Sequence, residues 1–186
     1  MNTTEFQPAD AAGTLRWTRH EIALGPLVLA AGDAGLAGIW FDPQRHFDGP
    51  AADWRRDDAD PLLRETARQL DDWCAGRRRD FSLPLAPLGT PFQRAVWRGL
   101  CEIDHGQRLS YGELAARLGK PLASRAVGAA TGRNPISLVI PCHRLVGGQG
   151  ALTGYAGGLH RKVALLAFEA GQGELTWDEA TAEVAA

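Results

Sequence analysis

Ser110-Tyr111-Gly112-Glu113-Leu114-Ala115-Ala116-Arg117-Leu118-Gly119 opens on a capping box and stops at a glycine. Lys120-Pro121-Leu122 makes a short turn, and a second helix runs from about Ala123 through Ser124-Arg125-Ala126-Val127-Gly128-Ala129-Ala130-Thr131-Gly132 to Arg133. Serine before the first turn satisfies a free backbone N–H while a glutamate three residues on reaches back to it. Two short helices joined by a tight turn form a helix-turn-helix, with the second helix as the reader. This reader lacks Asn and Gln side chains to grip base edges in a major groove. Its small residues instead allow a close backbone approach to a shallow groove. The long cation Arg125 stands out from them, which suits minor-groove docking with a side chain wedged into the base stack.

Upstream, Thr90-Pro91-Phe92-Gln93 is another capping box, and Phe92, Ala95, Val96, Gly99, Leu100 and Ile103 form the buried face of the helix it opens. Leu83 to Gly89, with two prolines, reads as a linker. Before it, Thr14–His20, Leu27–Ala30 and Gly35–Phe41 read as strands, with turns at Gly25-Pro26 and Gly32-Asp33. Residues 42–60 read as loop. Asp60-Pro61 then caps and starts a helix whose Leu62, Leu63, Ala67, Leu70, Trp73 and Cys74 share one face, with Gly76 as its stop. The reading is an α/β chain: a sheet-plus-helix part with its linker over 1–84, a helical part over 85–174, and an acidic, frayed tail over 175–186.

Downstream of the helix pair, Asn134-Pro135 precedes the apolar run Ile136-Ser137-Leu138-Val139-Ile140, which reads as a buried strand delivering Pro141-Cys142-His143-Arg144. An imidazole beside a thiol can draw off its proton, and the thiolate is the nucleophile. Gly147 to Gly158 holds six glycines, so backbone groups there can meet a flat ligand closely.

The net charge of −2 hides an asymmetry. Residues 90–168 carry ten Lys or Arg against three acids, whereas residues 1–89 carry ten against fourteen and residues 169–186 carry five acids alone. A basic segment inside an acidic chain suits phosphate contact. The three cysteines are odd in number and form no CxxC, which favours a reducing cytosol over a disulfide framework. Cys101 and His105 lack a second pair of ligands, so no metal is expected. No apolar run reaches the length of a membrane span, and Met1–Phe6 lacks the pattern of a signal peptide. A cytoplasmic, monomeric protein is expected.

The stretches Ser110-Tyr111-Gly112, Ser124-Arg125-Ala126-Val127-Gly128, Gly132-Arg133-Asn134-Pro135, Pro141-Cys142-His143-Arg144, Tyr155 with Gly157-Gly158, and Glu169 resemble the O6-alkylguanine-DNA alkyltransferases in order and spacing. The resemblance covers Thr90–Gly171 and is much weaker over the first 89 residues. It implies a ribonuclease H-like N-terminal domain, a winged helix-turn-helix-like catalytic domain and no cofactor. The partner it implies is double-stranded DNA containing O6-alkylguanine. The activity it implies is single-turnover transfer of an alkyl group, mainly methyl, from guanine O6 to Cys142, with thymine O4 left open. In that scheme His143 is the base, acting directly or through a water, and Glu169 holds the imidazole in its tautomer. Tyr111 protonates the leaving guanine, and Asn134 braces the turn carrying the thiol. Arg125 fills the gap left by a flipped nucleotide, with Ser124, Arg133, Arg144 and Tyr111 as further DNA contacts. Leu145, Tyr155, Ala156, Gly157 and Thr131 line the pocket, where the Cys142 and Leu145 carbonyls and the Ala156 N–H meet the base edge. Leu145 stands where valine is usual and Ala156 where some members have serine, which bears on the preferred alkyl size. Three other readings compete: a damage-binding protein without transfer, a transcription regulator, and a cysteine hydrolase. The first usually lacks the cysteine, the second wants a better base-reading helix, and the third has no oxyanion device beyond the loop amides.

Overall fold

A computed structural model describes residues 6–7, 13–171 and 175; the acidic tail lies outside them except for Leu175. Strands β1 (Arg16–Ile22), β2 (Gly25–Gly32) and β3 (Gly35–Phe41) form an antiparallel meander, and β4 (Arg55–Arg56) adds in parallel to β1, giving the order β3-β2-β1-β4. The two hairpin turns fall at residues 23–24 and 33–34, so Gly25-Pro26 and Gly32 belong to β2. Strand β1 lies two residues later than read from the sequence, β2 runs two residues further at each end, and β3 has the bounds expected. Leu27 to Ala31 are wholly buried, so β2 is a central strand covered on both faces. Helix α1 (Pro61–Cys74) packs across β1, β2 and β3. Asp60 caps it, accepting from the backbone N–H groups of Leu62 and Leu63 at 2.9 and 3.0 Å, and also takes Arg16 Nε at 2.6 Å. Its inward side chains Leu63, Leu70 and Trp73 are buried, each worth about 1.5–3 kcal/mol against exposure.

The helical part contains α2 (Pro91–Cys101), α3 (Tyr111–Arg117), α4 (Ser124–Thr131) and α5 (Leu159–Glu169), with the two-residue parallel strands β5 (Leu109–Ser110) and β6 (Leu145–Val146). Both capping boxes form. Thr90 Oγ1 accepts from Gln93 N while Gln93 Oε1 accepts from Thr90 N, and Ser110 and Glu113 do the same. Helix α4 is shorter than expected at each end, and no side chain caps its first turn. Trp97 of α2 donates to the Ala130 carbonyl of α4 at 3.0 Å, which fixes the second helix against the first of this part.

Two expectations are corrected. The run 136–140 is not a strand: only Ile136 pairs, by an isolated bridge to Ile39, and the rest is turn with Leu138 at φ 71°. An apolar run marks burial, not backbone shape, and here the turn's polar groups are satisfied by the Asn134 side chain instead of a ladder. The proposed linker is likewise not free. Leu83, Leu85 and Ala86 are buried, and the backbone of 84–86 hydrogen-bonds to Leu36. The open edge of β3 is therefore used twice, at Leu36 by this segment and at Ile39 by residues 135–137, where Ile39 N reaches Pro135 O and Ser137 N reaches Ile39 O at 2.9 Å each. The sheet's edge thus fixes the turn that carries the thiol.

Candidate active site

Cys142 begins a single 3-10 turn, Cys142–Arg144, entered through Pro141. All three side chains of the turn are buried. Three residues per turn send successive side chains in three directions. Cys142 meets Asn134, whose Nδ2 donates to Sγ at 3.1 Å and to the Ile140 carbonyl at 2.8 Å while its Oδ1 accepts from Ile136 N at 3.0 Å. His143 Nε2 lies 3.0 Å from Glu169 Oε1 on α5. An ionised carboxylate only accepts, so Nε2 carries the hydrogen and Nδ1 is the ring's lone pair. Nδ1 is buried with no partner among the described protein groups, which leaves it free to take a proton.

Burial pushes the Cys142 thiol up, against the opposing pull of the Asn134 hydrogen bond and the Lys162 charge. Burial also lowers the His143 imidazole, against the attraction of Glu169. Glu169 is held well below the usual carboxylate range: desolvation opposes ionisation, but His143 and Arg144 together outweigh it. Both shifts favour the neutral thiol and the neutral imidazole.

Above Cys142 opens a cavity of about 540 Å³ lined by Tyr111, Gly128, Ala129, Thr131, Gly132, Arg133, Tyr155 and Ala156 among others. Tyr111 stands at the first position of α3, with its hydroxyl donating to the Thr153 carbonyl at 3.4 Å. Thr131 Oγ1 is buried at the wall and has no partner among the described residues. Arg125 is exposed on α4, and Ser124 begins that helix.

The sequence-based list needs three changes. Arg144 is not a surface cation for phosphate. It is buried, with Nη2 at 2.8 Å and Nε at 2.9 Å from the two oxygens of Glu169, and Nη1 donates to the Ile103 carbonyl. Leu145 does not line the cavity; it sits in β6, wholly buried in the core opposite Leu109. Gly157 also stands outside the lining, pressed so closely on Phe41 that a Cβ there would meet its ring at 2.8 Å.

Three lining or supporting residues were missed. Arg45 and His46, from the loop after β3, form the cavity wall opposite α4. The Arg45 N–H donates to the Ala156 carbonyl at 3.0 Å, and His46 sits at φ 65°, an uncommon backbone state for a residue with a side chain. Lys162 of α5 is wholly buried, donates to the Thr153 carbonyl at 2.8 Å, and is lowered to about 8, mainly by desolvation. A lysine on an amphipathic helix reads as surface in a sequence; only its neighbours reveal it as interior.

The chain matches two family models: "6-O-methylguanine DNA methyltransferase, ribonuclease-like domain" over residues 15–87 and "6-O-methylguanine DNA methyltransferase, DNA binding domain" over residues 91–171. It is 46% identical to the methylated-DNA–protein-cysteine methyltransferase of Methanosarcina barkeri over 80% of this chain and 93% of that one. It is 40% identical to that of Mycobacterium leprae over 78% and 87%. Among solved structures, Mycobacterium tuberculosis OGT in complex with DNA aligns at a TM-score of 0.80 and 37% identity, covering 86% of this chain and 96% of that one. Fold and matches thus define a two-domain α/β alkyl-transfer enzyme. The chain belongs to the methylated-DNA–protein-cysteine methyltransferase family.

Proposed function

We propose that this protein repairs O6-alkylguanine in double-stranded DNA by a single transfer of the alkyl group to Cys142. The observation that carries the reading is Cys142 on the wall of a cavity beside α4, with His143 next to it in the chain and hydrogen-bonded to Glu169. An O6 substituent sits within the base stack, so a thiol reaches it in line only after the nucleotide is extruded. Arg125 is the group that enters the vacated stack, and Arg133 and Ser124 contact the backbone. The DNA complex of the M. tuberculosis relative supports DNA as the partner.

In the reaction, the thiol proton passes to His143 Nδ1, directly or through a water. Sulfur forms a bond to the alkyl carbon as the carbon–O6 bond breaks, and that bond's electrons pass to the purine. Tyr111, at the cavity wall, supplies the proton that quenches the charge on the leaving guanine. Asn134 holds Sγ, and Tyr155, Ala156 and Thr131 shape the base pocket. The thioether has no route back to thiol, so each molecule acts once. No helix among the described residues is long and apolar enough to cross a membrane, and action on DNA in the cytoplasm as a monomer fits this reading.

Intact-protein mass after mixing with a duplex containing O6-methylguanine is the decisive measurement. Wild type should gain one methyl group per chain. Cys142→Ser should gain none while still binding the duplex, and Cys74→Ser and Cys101→Ser should both gain it. Burial pushes both of the latter thiols up to about 12, and neither lines the cavity above Cys142. Loss of transfer in either, with the fold intact by circular dichroism, would sink the assignment of the nucleophile.

A further inference from the structure

We infer that Arg144 is a positioning residue for the transfer: forked on Glu169 and anchored on Ile103, it fixes the carboxylate so that one oxygen meets His143 Nε2 and the proton taken from Cys142 stays on His143. This rests on the reading of Cys142 and His143 given above.

Five hydrogen bonds from four donor groups converge on Glu169. Oε1 accepts from His143 Nε2 at 3.0 Å, Arg144 Nη2 at 2.8 Å and Arg144 Nε at 3.2 Å. Oε2 accepts from Arg144 Nε at 2.9 Å and from Gly106 N at 3.2 Å. The planar guanidinium suits this fork, where a lysine would make a single point contact. With its lone pairs committed and its position set from both sides, the carboxylate cannot turn away from the ring. It therefore selects the tautomer with hydrogen on Nε2 and the free pair on Nδ1.

Charge supports the same role. Around His143 stand Glu169 and Lys162 on α5, Arg144 and Cys142 on its own turn, and His105 near Glu169 and Arg144. Glu169 alone would draw His143 toward its cationic form at rest and leave a carboxylate ready to accept the proton. Burial does most to keep the imidazole neutral, and the Arg144 charge acts in the same direction against Glu169, so the carboxylate steadies the imidazolium without taking its proton. The cycle balances: the thiol proton moves to His143, sulfur takes the alkyl carbon, the carbon–O6 electrons leave with guanine, and the purine regains one proton through Tyr111.

The test uses the full chain, free O6-benzylguanine as probe, and three readouts: transfer rate against pH, affinity for unmodified duplex, and the histidine nitrogen shifts by NMR. Wild-type His143 should show the Nε2–H tautomer. Arg144→Met should slow transfer to the free base by about tenfold or more, since a misplaced ring in a triad costs up to about 10⁴. Its rate profile should shift to higher pH, because the uncompensated Glu169 raises His143 and the neutral base then appears later. Duplex affinity should not change. Arg144→Lys keeps the charge and the fold, so it should slow transfer with the pH midpoint in place. A slow rate in both variants with unshifted midpoint and unchanged tautomer would reduce Arg144 to a structural role, and so overturn the inference. Lost duplex affinity with a normal free-base rate would overturn it too, in favour of a phosphate contact. The tautomer is read on wild type alone, so an Nδ1–H result overturns it even where neither variant folds. A wild type with the expected tautomer but no transfer would instead sink the proposed function.

Discussion

Between Pro141 and Arg144 every side chain is buried and its polar atoms are tied to Asn134, Glu169 or the Ile103 carbonyl, apart from His143 Nδ1. Helix α4, on the same cavity, leaves Arg125, Ala126 and Ala129 exposed and its first turn uncapped. The two segments face opposite demands. A thiol in a dry site must be held in line with the atom it attacks, and misplacement costs rate directly. A surface that meets a long, variable duplex needs access and small side chains more than rigid contacts. The contrast predicts that a substitution in the buried turn damages fold and chemistry together, while one on α4 damages only the steps that need a duplex.

Asn134 is the hardest test of the rigid side. Asn134→Ala removes the donor to Sγ and to Ile140 O, and the acceptor for Ile136 N. Each buried group left unpaired costs about 1–3 kcal/mol, so urea unfolding should show a loss of at least that size. The thiol also loses the hydrogen bond that opposes its burial, so its ionisation should move to higher pH and transfer should slow on duplex and free base alike. Normal transfer in a destabilised variant would mean that the turn's rigidity serves the fold and not the thiol.

Arg125 tests the open side. Its side chain is exposed on a helix of small residues, and unstacking a paired base costs roughly a few kcal/mol. Arg125→Ala should therefore lower transfer from duplex by at least about tenfold, since about 1.4 kcal/mol is tenfold in rate. Transfer from the free base should be unchanged. Arg125→Lys should rescue in part, because it keeps the charge but not the planar stack. Equal slowing on both substrates would place Arg125 in the pocket's support and erase the contrast.

The same contrast explains what could be read in advance. The capping boxes at Thr90 and Ser110 and the Asp60 cap were legible because each is a local hydrogen-bond pattern with fixed spacing. The adjacency of Cys142 and His143 was legible in the residues themselves, while Glu169 as the partner of His143 was legible only through the resemblance. The run 136–140 was misread because burial alone does not separate strand from packed turn, and the deciding groups sit in Asn134 and Ile39. Arg144 was misread because its partner arrives from α5, 25 residues away in sequence. Arg45 and His46 belong to the first domain and meet the cavity only through tertiary contact, so no window of sequence around the cysteine could contain them.

Arg133 sharpens the contrast with the smallest effect. It is exposed and stands at the rim where two cavities meet, one above Cys142 and the other beside Trp40 and Trp54. Its neighbour in sequence, Asn134, points inward to the thiol, so the boundary between the rigid and the open region falls between these two residues. If Arg133 serves the duplex by charge, removing it releases one fewer counterion on binding. Arg133→Ala should then weaken affinity for duplexes of any sequence and reduce the log–log salt slope by about 1. Transfer at saturating DNA and transfer from the free base should match wild type, because a phosphate contact positions without entering the reaction. The check is a salt titration of binding with a parallel free-base assay. An unchanged slope with a slower free-base reaction would move Arg133 to the catalytic side and shift the boundary one residue outward.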